Sequence, residues 1–214
     1  IVFAYDIASV FGLNETTTRL AAEFIQILAL FNVSFAINMI LGAALRASGD
    51  AKTPLWIGVL MNIVNVFLVY ALVFGHFGLP KMGTSGAALA SGLSFTVAAV
   101  VLLLALYGKQ LRIQAGGVGS ITVARVKQLY QIGYPAAVEQ FIFQLGFIGF
   151  LWLVAYYGTA PYAAYGIGVQ ILSLSFVVGF GFSIAGATLV GQYLGAQQPE
   201  EAAKQGWRAT RLAI

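Results

Sequence analysis

The chain has 214 residues, 60% of them apolar and only 8% charged, with eleven basic and seven acidic side chains. A soluble domain carries roughly 25% charged residues and needs a polar surface that this chain does not supply. The same scarcity excludes a charge-rich disordered chain and a nucleic-acid binder with a dense basic face, while zero cysteines and a lone His76 exclude disulfide frameworks and Cys/His metal clusters.

With a mean hydropathy of +0.88 the chain belongs in a lipid bilayer. Residues 1–11 are apolar but too short to span. They carry no basic head or small-residue cleavage site and read as the tail of a helix, not a signal peptide. Residues 24–45, 53–80 and 82–108 hold no ionised side chain, with His76 counted as neutral. Each interval accommodates one span of roughly 20 apolar residues. The interval 128–199 is interrupted only by Glu139 and has room for two spans, with a turn at Gly158-Thr159-Ala160-Pro161.

Runs this continuously apolar predict helices over 17–45, 54–77, 83–107, 132–157 and 163–194, not the alternating strands of a barrel. Asn14-Glu15-Thr16-Thr17 offers capping side chains to the first, and Pro54 stands in a first turn, where proline is tolerated. Pro199-Glu200-Glu201 opens a last helix that carries Lys204, Arg208 and Arg211 further on, acid first and base later as the helix dipole favours. The fold class is therefore all-α: a polytopic transmembrane bundle of about five full spans, with partial helices at both ends.

Orientation follows from the basic residues. Arg46, Lys52, Lys109, Arg112, Arg125, Lys127, Lys204, Arg208 and Arg211 fall on one side, and only Arg19 and Lys81 on the other. The positive-inside rule then places 46–52, 108–127 and 195–211 in the cytoplasm. The isoelectric point of 9.4 is on this reading a topology label and does not call for an acidic partner.

Polar side chains inside the spans need reasons, because lipid does not require them. Asn32, Ser34 and Asn38 lie on the first full span, and Asn62 and Asn65, three apart, on the second. Interhelical hydrogen bonding explains any one of them; a polar cavity wall is the functional alternative. Gly83, Gly86, Ala87, Ala88, Ala90, Ser91 and Gly92 open the third span, where small residues let helices approach closely. Pro135 removes a backbone hydrogen bond from the fourth span. Glu139 follows one turn later, within the inner half of the bilayer, with Gln140 and Gln144 nearby. A carboxylate at that depth has to be paired or neutralised. It is either a cation- or proton-binding group, the preferred reading, or a structural acid bonded to a neighbouring helix. Tyr165 and Gln170 are the polar members of the last full span, which ends in Gly191-Gln192-Tyr193-Leu194-Gly195-Ala196.

Four separated patches, taken in order, resemble the multidrug and toxic compound extrusion (MATE) transporters. The first is Arg46-Ala47-Ser48-Gly49-Asp50-Ala51-Lys52-Thr53-Pro54, with Asn62-Ile63-Val64-Asn65 after it. The second is Gly83-Thr84-Ser85-Gly86-Ala87-Ala88-Leu89-Ala90-Ser91, and the third is Gly133-Tyr134-Pro135-Ala136-Ala137-Val138-Glu139-Gln140. The last runs from Ala163-Ala164-Tyr165 to Gly191-Gln192-Tyr193-Leu194-Gly195-Ala196. Within these patches Gly49, Asp50, Pro54, Gly86, Pro135, Gly191, Gln192 and Gly195 are structural motif positions.

The resemblance implies a twelve-helix transporter of two pseudo-twofold lobes, of which this chain covers the end of helix 3 to the start of helix 9. Residues 1–107 would be the C-terminal part of the N-lobe, 108–127 a cytoplasmic linker and 128–214 the N-terminal part of the C-lobe. It implies a monomer in the plasma membrane that expels small amphipathic or cationic compounds by alternating access, coupled to Na⁺ or H⁺, with no other cofactor, no metal and no catalytic residues. Glu139 would then be the ion-coupling residue. Gln140, Gln144, Asn62, Asn65, Tyr165 and Gln170 would line the substrate pathway or gate. The chain departs from the family at two places. Several members carry the helix 7 glutamate where this chain has Phe143, and others an aspartate one turn past the helix 5 asparagine, where Val69 stands here.

Two other functions compete with transport. A lipid-linked oligosaccharide flippase of related architecture calls for cationic residues in the cavity to hold pyrophosphate, and the intervals 24–45, 53–80, 82–108 and 128–199 contain none. An intramembrane enzyme calls for a catalytic dyad or a metal set, which Glu139 without a His or Asp partner does not make.

Overall fold

A computed structural model describes residues 4–9, 15–108, 111, 113 and 122–213. The described residues form eight helices: α1 (Ala4–Ser9), α2 (Glu15–Leu30), α3 (Asn32–Ala47), α4 (Lys52–Phe74), α5 (Gly83–Tyr107), α6 (Val123–Tyr156), α7 (Thr159–Gly195) and α8 (Pro199–Ala213). The helices α4, α5, α6 and α7 are each long and apolar enough to cross a membrane; α2 and α3 together make a fifth, bent by 54°. The chain is thus an integral, multi-pass membrane protein, all-α as its composition requires. It divides into two compact units, Ile1–Ala115 and Gly116–Ile214.

The single helix expected over 17–45 is a broken one. No glycine or proline stands between Leu13 and Gly42 to announce the break. Its cause is tertiary: Phe31, between α2 and α3, leaves the α-helical pattern with φ −96° and ψ 5°. Its N–H donates to the Leu28 carbonyl at 3.0 Å, a shorter 3₁₀-type step. A Cβ built on Gly92 of α5 would overlap the Phe31 ring. The ring therefore occupies the notch that this glycine leaves. Packing against α5 sets the bend.

In the first unit α5 is the central helix and packs against α2, α3 and α4. Small residues make that possible: Gly86, Ala88, Ala90, Gly92, Ser94, Ala98 and Ala99 are all buried. At Gly86 a Cβ would lie 2.8 Å from the Leu72 carbonyl oxygen of α4, so the two backbones meet there with no room for a side chain. At one end of this unit Leu45, Leu102 and Leu111 form a small apolar cluster.

Element boundaries moved for local reasons. The helix α4 starts at Lys52, with Pro54 in its first turn, and stops at Phe74 because Gly75 takes a left-handed conformation at φ 76°. In the second unit α6 starts at Val123, nine residues before the expected start at 132. Thr122 caps it, its Oγ1 accepting from the Arg125 N–H at 3.4 Å and its carbonyl from the Val126 N–H at 3.1 Å. Charge limits what enters hydrocarbon but not what forms a helix, so Arg125 and Lys127 ride on its first turns. The expected outer turn over 158–161 contracts to Tyr157 and Gly158, the latter at φ 104°. Pro161 then falls in the first turn of α7, where its missing N–H costs nothing. The proposed cap Asn14 and most of the basic stretch 108–121 lie outside the described residues.

Candidate functional site

The motif around Gly49 and Asp50 is built from backbone bonding. Ser48, Gly49 and Asp50 donate their N–H groups to the carbonyls of Ala44, Arg46 and Leu45 at 3.0, 3.0 and 2.9 Å. This is a Schellman closure of α3, and it requires the left-handed residue that Gly49 supplies at φ 86°. Asp50 then opens α4: Oδ1 accepts from the N–H groups of Lys52 and Thr53 at 3.1 and 3.0 Å, and Oδ2 from Thr53 Oγ1 at 2.6 Å. These are the N2 and N3 donors, so Asp50 is the functional N-cap.

The polar residues of the first unit divide into two kinds. Asn38 is a true interhelical bond: its Nδ2 donates to the Phe95 carbonyl of α5 at 2.7 Å and to Ser34 in its own helix at 2.8 Å. Thr96 continues that seam, its Oγ1 lying 3.1 Å from Ser34 Oγ. Asn65 Nδ2 reaches Ser91 Oγ of α5 at 3.4 Å, whereas Asn62, exposed, donates only to the Gly58 carbonyl of its own helix at 2.8 Å. Two residues expected to share one face thus have different partners. Sequence reasoning passed over Glu23, which accepts from Ser85 Oγ of α5 at 3.1 Å and lies 3.9 Å from Arg19. The signal was present: an acid eight residues into α2, paired with a serine in the small-residue run of α5.

In the second unit Pro135 lies inside α6, and the helix continues through it. Proline leaves the Gln131 carbonyl without its usual donor and places Glu139 one turn further on. Glu139 is exposed and, with Tyr134, Pro135, Val138 and Ile142, lines a mainly apolar groove of about 480 Å³. Among the described residues it has no ion pair and no hydrogen-bond partner. Gln140 and Gln144 share a face one turn apart and are not bonded to Glu139. Tyr165 of α7 meets Phe150 of α6 edge to face, centroids 5.3 Å apart. The Gln170 carbonyl accepts from Ser173 Oγ at 2.6 Å. Asn62 and Asn65 belong to the other unit from Glu139, Gln140, Gln144, Tyr165 and Gln170.

The last motif closes α7. Ala196, Gln197 and Gln198 donate to the carbonyls of Gln192, Leu194 and Tyr193 at 3.0, 3.0 and 2.9 Å, a second Schellman closure. Its left-handed position is held not by glycine but by Gln197, at φ 58°. A Cβ at Gly191 or Gly195 would meet nothing within 4 Å, so neither glycine is required by packing within the described residues of this unit.

The chain is similar over most of its length to proteins of known family. It is 35% identical over 190 residues, 87% of this chain, to the protein named "Probable multidrug resistance protein NorM" of Thermotoga maritima. It is 26% identical over 92% of its length to "Probable multidrug resistance protein YoeA" of Bacillus subtilis, and 27% identical over 99% to a NorM protein of Burkholderia mallei with the same description. The chain spans 41–46% of the length of these curated relatives. Its fold matches a crystal structure of MATE in complex with Br-NRF, with a TM-score of 0.71, 20% identity, and coverage of 99% of this chain and 49% of that one. The MatE family model matches residues 1–71 and 135–214, the greater part of the chain, and the chain belongs to the MatE family.

Proposed function

We propose that the whole protein is a secondary active exporter of small amphipathic or cationic compounds across the plasma membrane. Export is coupled by alternating access to inward Na⁺ or H⁺, and Glu139 is the group that exchanges the coupling cation. The observation that carries the reading is the position of Glu139: the one acid between Lys127 and Glu200, on an open groove of α6 beside Pro135, with no salt-bridge partner among the described residues. The names of the relatives, multidrug resistance proteins, support the substrate class. Gln140, Gln144, Tyr165 and Gln170 in one unit and Asn62 and Asn65 in the other are the proposed lining of the pathway. Alternating access needs two states of similar energy whose balance cation and substrate shift in opposite directions. A carboxylate that is charged in one state and neutralised by the bound cation in the other provides that shift.

The test is efflux by the full-length protein in cells lacking their own exporters, and in proteoliposomes with an imposed Na⁺ or pH gradient. The wild type lowers accumulation of a cationic dye, and Glu139→Gln abolishes this at unchanged membrane abundance. Dye extrusion by Glu139→Gln at the wild-type rate would remove Glu139 from coupling. Absence of extrusion by the wild type under either gradient would remove the efflux reading itself.

A further inference from the structure

The helix α8 presents a charged surface that the proposed pathway residues do not include. The helix α8 packs on the end of α7 through small residues: Ala202 is buried, a Cβ on Gly186 would lie 2.7 Å from Ala209 Cβ, and a Cβ on Gly206 3.4 Å from Val190 Cγ2. The pairings 186 with 209 and 190 with 206 make the two helices antiparallel. At roughly 100° per residue, Ala202, Gly206 and Ala209 define one face, and Lys204, Trp207, Arg208 and Arg211 fall on the opposite one. All four of the latter are exposed and together line a groove of about 530 Å³. Lys204 pairs with Glu201 at 3.2 Å, and Glu200 stands in the first turn of the helix. Arg208 and Arg211, further along, have no ion pair or hydrogen bond among the described residues.

Helix length sets the depth of this face. The helix α7 has 37 residues, about 55 Å at an α-helical rise, against about 40–45 Å for a bilayer with its headgroups. On the orientation that the basic residues imply, it starts directly after the outer turn at Gly158, so its surplus length emerges on the cytoplasmic side. With the apolar span that begins at Ala164 set to enter the hydrocarbon there, Gly186 lies about 33 Å down the helix, just past a hydrocarbon core of about 30 Å and so in the inner headgroup layer. Ala209 is level with Gly186, which puts Arg208 and Arg211 within about 3 Å of that depth and Lys204 on its cytosolic rim.

We propose that Arg208 and Arg211, with Lys204 at the rim and Trp207 between them, hold the phosphate of an anionic phospholipid of the inner leaflet. Guanidinium forks match phosphate oxygens with paired, charge-assisted hydrogen bonds. An indole prefers the membrane interface, where one edge is wet and the other apolar. The outward face of α8, turned away from its seam with α7, combines both at headgroup depth.

The test uses delipidated full-length protein titrated with phosphatidylglycerol or phosphatidylcholine and read by native mass spectrometry. The wild type prefers phosphatidylglycerol. The variant K204Q/R208Q/R211Q loses that preference by about fivefold per residue, on the order of 100-fold in all. Should the triple variant fail to fold, R208Q and R211Q singly carry the same test, each with the fivefold loss. The pair R125Q/K127Q, on the exposed start of α6, leaves the preference unchanged; an equal loss there would reduce the effect to general cytoplasmic charge and overturn the site. Unchanged preference in the α8 variants overturns it as well. Displacement of the lipid by an equal concentration of inorganic phosphate would make it a soluble-anion site and not a lipid site.

Discussion

The Phe31 ring fills the space into which a side chain at position 92 would project. This contact couples the break between α2 and α3 to the middle of α5, and it makes Gly92 a partner of the bend and not a filler. Gly92→Ala forces the ring or the helix to move, and overpacking of this kind costs about 1–3 kcal/mol. In the double variant Phe31→Ala/Gly92→Ala the added methyl enters the space the ring has left. The two losses should therefore fall short of additivity, with a coupling energy of about 0.5–3 kcal/mol. Equilibrium unfolding of the four proteins of the cycle in detergent measures it. Strict additivity would mean that the ring does not rest on Gly92.

Gly86 and Gly58 separate close packing from mere composition. A Cβ at 86 would stand 2.8 and 2.9 Å from the carbonyl oxygen and carbon of Leu72, whereas one at 58 meets nothing within 4 Å. Backbone cannot swing aside as a side chain can, so Gly86→Ala should pry α4 from α5 and cost about 1–3 kcal/mol. Gly58→Ala, inside α4, should instead stabilise by up to about 1 kcal/mol through helix propensity. Melting temperatures of the two variants are expected to move in opposite directions.

The asparagines make a similar contrast. Asn38 bonds across to the Phe95 carbonyl at 2.7 Å, and Asn62 only to Gly58 of its own helix. Asn38→Ala should lose about 0.6–2 kcal/mol, the worth of an interhelical bond in a membrane. Asn62→Ala should stay within about 0.5 kcal/mol of wild type. Loss of efflux in Asn62→Ala at normal stability would then report a role in the pathway. Normal efflux would take Asn62 out of it.

Much of this was legible in the sequence because its causes are local or compositional. Intervals poor in charge pointed to the spans, and Pro54 announced a helix start, whereas Gly49 and Asp50 stood out only as motif positions until their bonding showed a helix stop and a cap. What escaped is what a distant partner decides. Nothing between Leu13 and Gly42 signals a break, because the agent of the break is a glycine in another helix. The expected start at 132 falls nine residues late because Lys127 ends a hydrocarbon segment but not a helix. Asn62 and Asn65 have the spacing of one face, yet only Asn65 meets a serine across the seam. In the candidate site Glu139 was legible as the exceptional charge. The groove beside it depends on which side chains of α6 flank Pro135 and was not.

The two Schellman closures give a reciprocal prediction. Both close with the same three bonds to within 0.1 Å, Ser48, Gly49 and Asp50 ending α3 and Ala196, Gln197 and Gln198 ending α7. The left-handed position differs in kind: Gly49 at φ 86° has no Cβ, whereas Gln197 at φ 58° carries one. For a residue with a Cβ this conformation costs about 1 kcal/mol. Gly49→Ala should therefore destabilise the protein by about 1 kcal/mol, and Gln197→Gly should stabilise it by a similar amount. Asp50→Ala should cost a further 0.5–2 kcal/mol, roughly, by removing the N-cap of α4, and Asp50→Asn should recover most of it. Thermal unfolding of the four variants decides the matter, because the first two must shift in opposite senses. If Gln197→Gly instead lowered the melting temperature, the Gln197 side chain would have to be making a contact worth more than the strain of its backbone.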